Sequence, residues 1–326
     1  MQRHYYKQNR LKQLRAFCYA AQAHSMSKAA EQMFLSQPSI SLLVQSLEKD
    51  LGARLFERQG PKIRLTMEGR ALLDLALPLV EGLETLPESF RERCGNQVTG
   101  SLNIAAGEST TLYLLPSVVN RFAGLFPQIT VNLHNATGSD SLALLRSGTV
   151  DFAVGPVLQV PDDILFTPLF AFETMLITPL RHPLADRKKV TLQDIEPYPL
   201  IMPPRTMSTR ALIDIVFLQH HLSYKVQMEA GGWEVIKKYV EMGLGISIVA
   251  SICLTGKEKL VKIPLRGYFP ERSFGLILRR GKSISPAARK FIELLSPEGA
   301  EAASAAALTP PLPRKREREK SHEARR

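Results

Sequence analysis

The chain has 326 residues, 44% of them hydrophobic, and a formal net charge of +11. That length exceeds one typical domain and the apolar content suffices for more than one core. No run approaches the ~18 apolar residues of a membrane helix, the polar start Met1-Gln2-Arg3-His4 lacks a signal-peptide core, and three scattered cysteines (Cys18, Cys94, Cys253) fit neither a disulfide framework nor a zinc knuckle.

A cytoplasmic protein without membrane contact, metal or cofactor is therefore expected. Positive charge gathers at the ends: residues 1–66 hold 11 Lys and Arg against 4 Asp and Glu, and residues 314–326 hold 7 against 3. The stretch between is close to neutral for its length. Such clustering is the electrostatic footprint of nucleic-acid binding.

Asn9 is placed to cap a first helix running to about Ala23, with Leu11, Leu14, Cys18 and Ala21 inward and Phe17 beside them. Two short helices joined by a tight turn follow. Ser27 is expected to cap the first and Ser36 the second, since a hydroxyl accepts from the free N–H groups of an opening turn. Pro38 is tolerated there because those N–H groups lack helical partners. Ala29 and Ala30 let the helices approach closely. From Gln37 to Asp50, Ile40, Val44, Leu47 and Leu51 make an inward stripe. Gln37, Ser39, Ser41 and Gln45 remain on the outer face, where short polar side chains suit base edges in a major groove. An ordinary antiparallel helix pair is the alternative.

After Gly52, Arg54 to Arg58 and Lys62 to Leu65 alternate around Gln59-Gly60-Pro61, which reads as a small β-hairpin. Arg58, Lys62 and Arg64 either touch phosphates or form a solvated face. Thr66 caps a long helix, with Glu68 in its first turn favoured by the helix dipole. Leu72, Ala76, Leu79, Leu83, Leu86 and Phe90 are spaced as a seam, and Pro78 and Pro87 predict a kink or an early end. The seam packs either on its own chain or on a copy of itself.

The run Leu35-Ser36-Gln37-Pro38-Ser39-Ile40-Ser41, then Leu47-Glu48-Lys49-Asp50-Leu51-Gly52, Leu55-Phe56-Glu57-Arg58, and Leu65-Thr66 with Gly69, resembles the N-terminal domain of LysR-type transcriptional regulators. The resemblance implies a winged helix-turn-helix that binds double-stranded DNA. Its residues would be Ser27, Lys28, Ser36, Gln37, Pro38, Ser39, Ser41, Gln45, Arg54, Arg58, Lys62 and Arg64. It also implies a linker helix that dimerises through Leu72, Leu79, Leu83 and Leu86. Many members carry Arg where this chain has Leu42, so a contact often made there must come from Lys28, Arg54 or Arg58.

Beyond the short connector Gly95–Gly100, strands are expected at Leu102–Ala106, Thr130–Asn135 and Val150–Val154, with helices at Thr111–Phe126 and Ser139–Ser147. This alternation argues for a parallel sheet covered on both faces. A second set follows: strands Thr174–Thr178, Leu200–Met202, Lys225–Glu229 and Gly245–Val249, with helices Thr209–His221 and Glu234–Met242. Strand Phe274–Leu278 and helix Pro286–Leu295 close the fold.

Two half-domains of one plan suggest a bilobed module with a cleft and crossovers near Phe170 and Phe269–Arg272. This half also resembles the family, implying an α/β effector domain of the type 2 periplasmic-binding-protein fold. The expected division is 1–66 DNA-binding, 67–94 linker, 95–296 effector domain (lobe I about 100–170 and 272–296, lobe II about 171–271), and 297–326 a disordered basic tail. That tail is alternatively a DNA-clinging arm. Val235 to Val240 with Gly243-Leu244-Gly245 and Ala250-Ser251 looks most like the cysteine-biosynthesis, sulfur-metabolism regulator branch.

Gly107-Glu108-Ser109-Thr110 and Arg205-Thr206-Met207-Ser208-Thr209-Arg210 open helices expected to face the cleft, where hydroxyls and free N–H groups hold anions. Either is also an ordinary helix start. In the family these loops contact the effector, which implies Ser109, Thr110, Arg205, Ser208, Thr209 and Arg210 as its binding residues. Glu108 departs from a purely anion-friendly loop.

No Gly-rich phosphate loop, metal cluster or nucleophile elbow appears, and no catalytic residue is assigned. A solute-binding or enzymatic α/β protein with an incidental helix-turn-helix is the competing reading. A homodimeric or homotetrameric regulator, meeting DNA, a small effector and RNA polymerase, is the expectation.

Overall fold

The computed structural model describes residues 10–59, 62–95 and 99–295, without the side chains of Arg58, Gln59 and Lys62. The Asn9 cap, the Gly60-Pro61 turn and the tail lie outside these residues. Three helices open the chain: α1 (Arg10–Ala23), α2 (Met26–Met33) and α3 (Gln37–Leu51). Phe17, Cys18, Ala29, Ala30, Ile40, Val44 and Leu47 bury together, and Gln13 fixes α1 on α3 by donating to Ser46 Oγ at 2.9 Å.

Three expectations change here. Ser25, not Ser27, caps α2, accepting from the Lys28 N–H at 3.3 Å. Leu51 is exposed, because the helix stops at Gly52 in a left-handed C-cap, and Leu11 at the open end of α1 is exposed as well. Ser36 caps α3 as its sequence implies. The turn itself is made by Phe34 at φ 54°, whose N–H reaches the Ala30 and Glu31 carbonyls.

Strands β1 (Phe56–Gln59) and β2 (Lys62–Leu65) pair antiparallel as the wing. Thr66 then caps α4 (Met67–Arg93), accepting from the Gly69 N–H at 2.9 Å. The helix runs through both Pro78 and Pro87 rather than ending early. Packing on two sides offsets the lost donors. Ala76, Leu77 and Val80, with Leu72 and Leu73 partly buried, join the winged-helix core. Glu81 pairs with Arg279, Thr85 with Ser283, and Glu92 with Arg289 and Lys290.

The effector half begins with β3 (Gly100–Ala106), a widened π turn at Thr110–Leu114, α5 (Leu115–Leu125), β4 (Ile129–Asn135), α6 (Gly138–Arg146), β5 (Phe152–Pro156) and β6 (Ile164–Phe172). The chain then builds a second lobe. Its elements are β7 (Thr174–Pro179), α7 (Leu192–Ile195), β8 (Leu200–Met202), α8 (Ser208–Gln219), β9 (Val226–Glu229), α9 (Trp233–Glu241), β10 (Ser247–Ala250) and β11 (Leu260–Pro264). It returns through β12 (Arg272–Arg279) to α10 (Pro286–Leu295).

The first sheet has the order β4-β3-β5-β12-β6: β3 runs parallel to β4 and β5, as their alternation with helices predicts, whereas β12 is antiparallel to β5 and β6 and makes the sheet mixed. Helices α5 and α10 cover one face through Phe122, Phe291 and Leu115, and α6 covers the other through Leu145. In the second lobe β10-β7-β11 is wholly antiparallel, while β8-β9 is parallel and a single bridge joins Leu200 of β8 to Ile246, just before β10.

The register of β12 on β6 shifts between Phe274 and Gly275, opposite Pro168. A Cβ on Gly275 would overlap the Thr167 carbonyl oxygen and stand 2.8 Å from Pro168 Cα. Gly275→Ala should therefore lower stability by at least ~1–3 kcal/mol, the cost of forcing atoms into a packed site, and an unchanged thermal melt would show that these strands separate freely.

In the second lobe the buried Glu258 carboxylate accepts from the Thr255 and Gly256 N–H groups at 2.7 and 3.0 Å and from Lys237 and Lys262 at 3.0 and 2.9 Å. Burial alone would raise its pKa, but these partners hold it well below the usual carboxylate range. A depressed folded-state pKa adds stability that is present above the unfolded value, ~4.3, and lost as pH falls through it toward the folded one. Glu258→Gln should flatten the acid limb of a melting-temperature profile while lowering its neutral plateau; parallel profiles for variant and wild type would remove this role.

Candidate functional site

Two surfaces gather the residues that the sequence singles out. On the first, Ser27, Lys28, Ser36, Gln37, Pro38 and Gln45 are exposed, with Ser39 and Ser41 half-buried beside them, around the turn and first turns of α3. Helix α3 offers this face because Ile40, Val44 and Leu47 hold its other side in the core. Its polar groups satisfy one another in the free protein: Gln37 Nε2 donates to Ser41 Oγ at 2.8 Å, and the Ser36 and Ser39 hydroxyls share a hydrogen at 2.8 Å. Arg54 and Arg64 are exposed on the flanking wing segment. Leu42 is exposed on α3. The side chains of Arg58 and Lys62 lie outside the described residues.

Along α4 the seam divides. Leu72 and Ala76 turn into the winged-helix core, while Leu79, Leu83, Leu86 and Phe90 stay exposed and Leu75 extends the row. Leu72, half-buried, packs in part against its own chain.

The second surface is a cavity of about 350 Å³ between the lobes. The loop after β3 with Thr110 of the π turn, the end of β5, the first turns of α6, α8 and α9, and the start of β12 surround it. Ser109, Thr110, Arg205, Ser208 and Thr209 all line it, as their loops imply. Arg210 does not. It is buried within lobe II, where Asp214, the Tyr224 hydroxyl, the Pro203 carbonyl and Glu229 take its guanidinium. A cation one residue along a helix points to another side, and here that side is the lobe's interior.

The cavity's buried cation is instead Arg272, 7% exposed at the first position of β12. It donates to Ser208 Oγ at 2.6 Å and to Thr209 Oγ1, and its guanidinium lies 5.6 Å from the Phe274 ring centroid. Among the described residues it makes no ion pair. Burial lowers its pKa to about 10, which still leaves it charged at neutral pH. Thr110 is fully buried and its Oγ1 has no hydrogen-bond partner among the described residues. The π turn places it there: the Leu115 N–H reaches back to the Thr110 carbonyl.

Across the cavity Glu108 accepts from the Trp233 N–H at 3.1 and 3.2 Å. Tyr113 donates to Glu234, so two contacts on neighbouring turns join the lobes. Cys253 also lines the cavity, its thiol pushed up to about 12 by burial and therefore neutral. Leu142, Val154, Val157, Met207 and Ile277 complete a largely apolar wall.

The sequence alone drew attention to Ser208 and Thr209 but not to Arg272, which lies more than sixty residues away and reads as an ordinary strand charge. Among the described residues no group of His, Cys, Asp and Glu is arranged to hold a metal ion, and no helix is long and apolar enough to cross a membrane.

Residues 11–70 match the model of the bacterial regulatory helix-turn-helix proteins of the lysR family, and residues 95–300 match the LysR substrate binding domain. The chain is 29% identical over 280 residues to the HTH-type transcriptional regulator CysB of Burkholderia cenocepacia, covering 85% of this chain and 89% of that one. It is 30% identical over 282 residues to the HTH-type transcriptional regulator cbl of Escherichia coli, covering 84% and 88%.

A full-length OxyR variant from Pseudomonas aeruginosa superposes with a TM-score of 0.66 at 23% identity, covering 90% of this chain and 94% of that one, a likeness of fold alone. The chain belongs to the LysR family of transcriptional regulators, with a DNA-binding helix-turn-helix and an effector-binding domain.

Proposed function

We propose that the outer face of α3 reads operator DNA, that the exposed row on α4 joins two copies, and that the interlobe cavity binds a small organic anion that biases the lobes. The observation that carries the ligand assignment is Arg272, a buried guanidinium held, among the described residues, by neutral hydroxyls and a ring. An isolated buried charge is costly, and an anion arriving in the cavity relieves that cost. Serine, threonine and a fully buried free hydroxyl then supply the remaining donors, with Arg205 at the rim.

The ligand acts only through its different affinity for two lobe arrangements. In this reading the shift passes to paired winged helices on two half-sites, and so to how the regulator meets RNA polymerase in the cytoplasm. Gln37, Ser39, Ser41 and Gln45 face the bases, while Lys28, Arg54, Arg58, Lys62 and Arg64 face phosphates.

For Gln37→Ala the expected loss is ~1–3 kcal/mol of discrimination at one base position, read by competition between operator and single-base variants. Equal weakening on operator and random duplex would remove α3 from the groove. Two further variants separate the remaining parts. Leu83→Arg should yield monomers by light scattering, with operator affinity lost and the effector domain folded. Arg272→Met should keep the dimer on its operator but lose every ligand-dependent change in that complex. A dimeric Leu83→Arg protein, or an unchanged ligand response in Arg272→Met, refutes the corresponding assignment.

A further inference from the structure

Glu108 and Arg272 line the same cavity without pairing with each other. The first turn of α9 has its positive end toward that space, but the chain's own Glu108 carboxylate already occupies it. It takes the Trp233 N–H, and a Cβ on Gly232 would lie 3.2 Å from Glu108 Oε1. This end of the cavity is therefore closed to a second anion by charge and by the loss of its donor. The Glu108 carboxylate keeps unused lone pairs, since two oxygens offer about four acceptor sites. The opposite requirement holds at Arg272, where the guanidinium, Ser208 and Thr209 await an acceptor. Thr110 independently points to a ligand: it is a fully buried hydroxyl on the cavity wall without a partner among the described residues. Val154, Met207, Phe274 and Ile277 line the wall apolar.

Building on the anion reading above, we infer that Glu108 selects the charge of the ligand's far end. The cavity takes a zwitterionic organic acid, with its negative head on Arg272, a short apolar body and a cationic nitrogen donor toward Glu108. Free monocarboxylates fit less well, and dianions least well. Burial raises the Glu108 pKa, and the Trp233 N–H draws it partly back. A cation beside it favours the ionised form.

The test uses the full chain and three probe series of three to six carbons: straight-chain monocarboxylates, ω-amino acids and dicarboxylates. Thermal shift and calorimetry give their relative affinities. In the wild type the amino acids should bind best and the dicarboxylates at least about tenfold more weakly. Glu108→Gln preserves the shape and an acceptor for Trp233, and should erase that ranking; Glu108→Ala serves as a second variant, each checked for folding by circular dichroism. Arg272→Met should lose all three series.

Dicarboxylates that bind the wild type as tightly as the amino acids, a ranking unmoved in both Glu108 variants, or no binding by any series at millimolar concentration overturns the zwitterion inference. Binding that survives Arg272→Met overturns the underlying anion reading instead.

Discussion

Strand β12 carries more of this architecture than any other element. It pairs with β5 on one side and β6 on the other, so the lobe I sheet is continuous only through it. Its first residue, Arg272, faces the interlobe cavity, and its last, Arg279, meets Glu81 on the linker helix. Between them the register shift at Gly275 sets which residues arrive at each end. A one-residue slip would turn every side chain of the strand to the opposite face, removing both arginines from their sites at once.

The two arginines show how burial gives opposite results from one chemistry. Arg279 is as deeply buried as Arg272 but has a carboxylate, and its role is architectural, tying helix to sheet beside the Thr85–Ser283 contact. Arg272 lacks one and is held by weaker neutral acceptors. Breaking the first pair would strand a charge, which usually costs several kcal/mol. The second site begins in that condition. The contrast places the electrostatic readiness of the molecule between the lobes rather than at the junction with the linker. Glu92 facing Arg289 and Lys290 reinforces that junction, and Arg15, held to Glu84 at 2.8 Å, ties the same helix to α1.

What could be read from the residues followed from local rules. Caps at Ser36 and Thr66, the wing alternation and the helix stripe at Ile40, Val44 and Leu47 act within a few positions. So do the bounds of Leu200–Met202 and Pro286–Leu295. What escaped depended on distant partners. Strand β6 contains Pro168, which argues against an internal strand; it lies at the sheet edge, where a missing N–H is tolerated.

The alternation of strands and helices correctly predicts the parallel set β4-β3-β5, but not β12, which re-enters between β5 and β6 after a whole lobe has intervened. Leu72 and Leu79 share one periodic pattern, and only the docking angle of α4 on α1 decides which is covered. Arg210 and Arg272 were separable by neither spacing nor composition, since their difference is which carboxylates lie nearby in space.

The crossover geometry has a structural corollary. Phe172 and Arg272 are partners in the β6–β12 ladder, so the chain leaves lobe I and re-enters it on adjacent strands, about 5 Å apart. Residues 173–271 are in this sense a guest inserted into a host hairpin. A tight turn joining the two ends would restore an uninterrupted antiparallel pair and leave the host sheet with all five strands. The same junction is a natural place to graft a different guest. Because Arg272 belongs to the host while Ser208, Thr209 and Trp233 belong to the guest, such an exchange would alter ligand preference by replacing half of the cavity, with the winged helix and linker untouched.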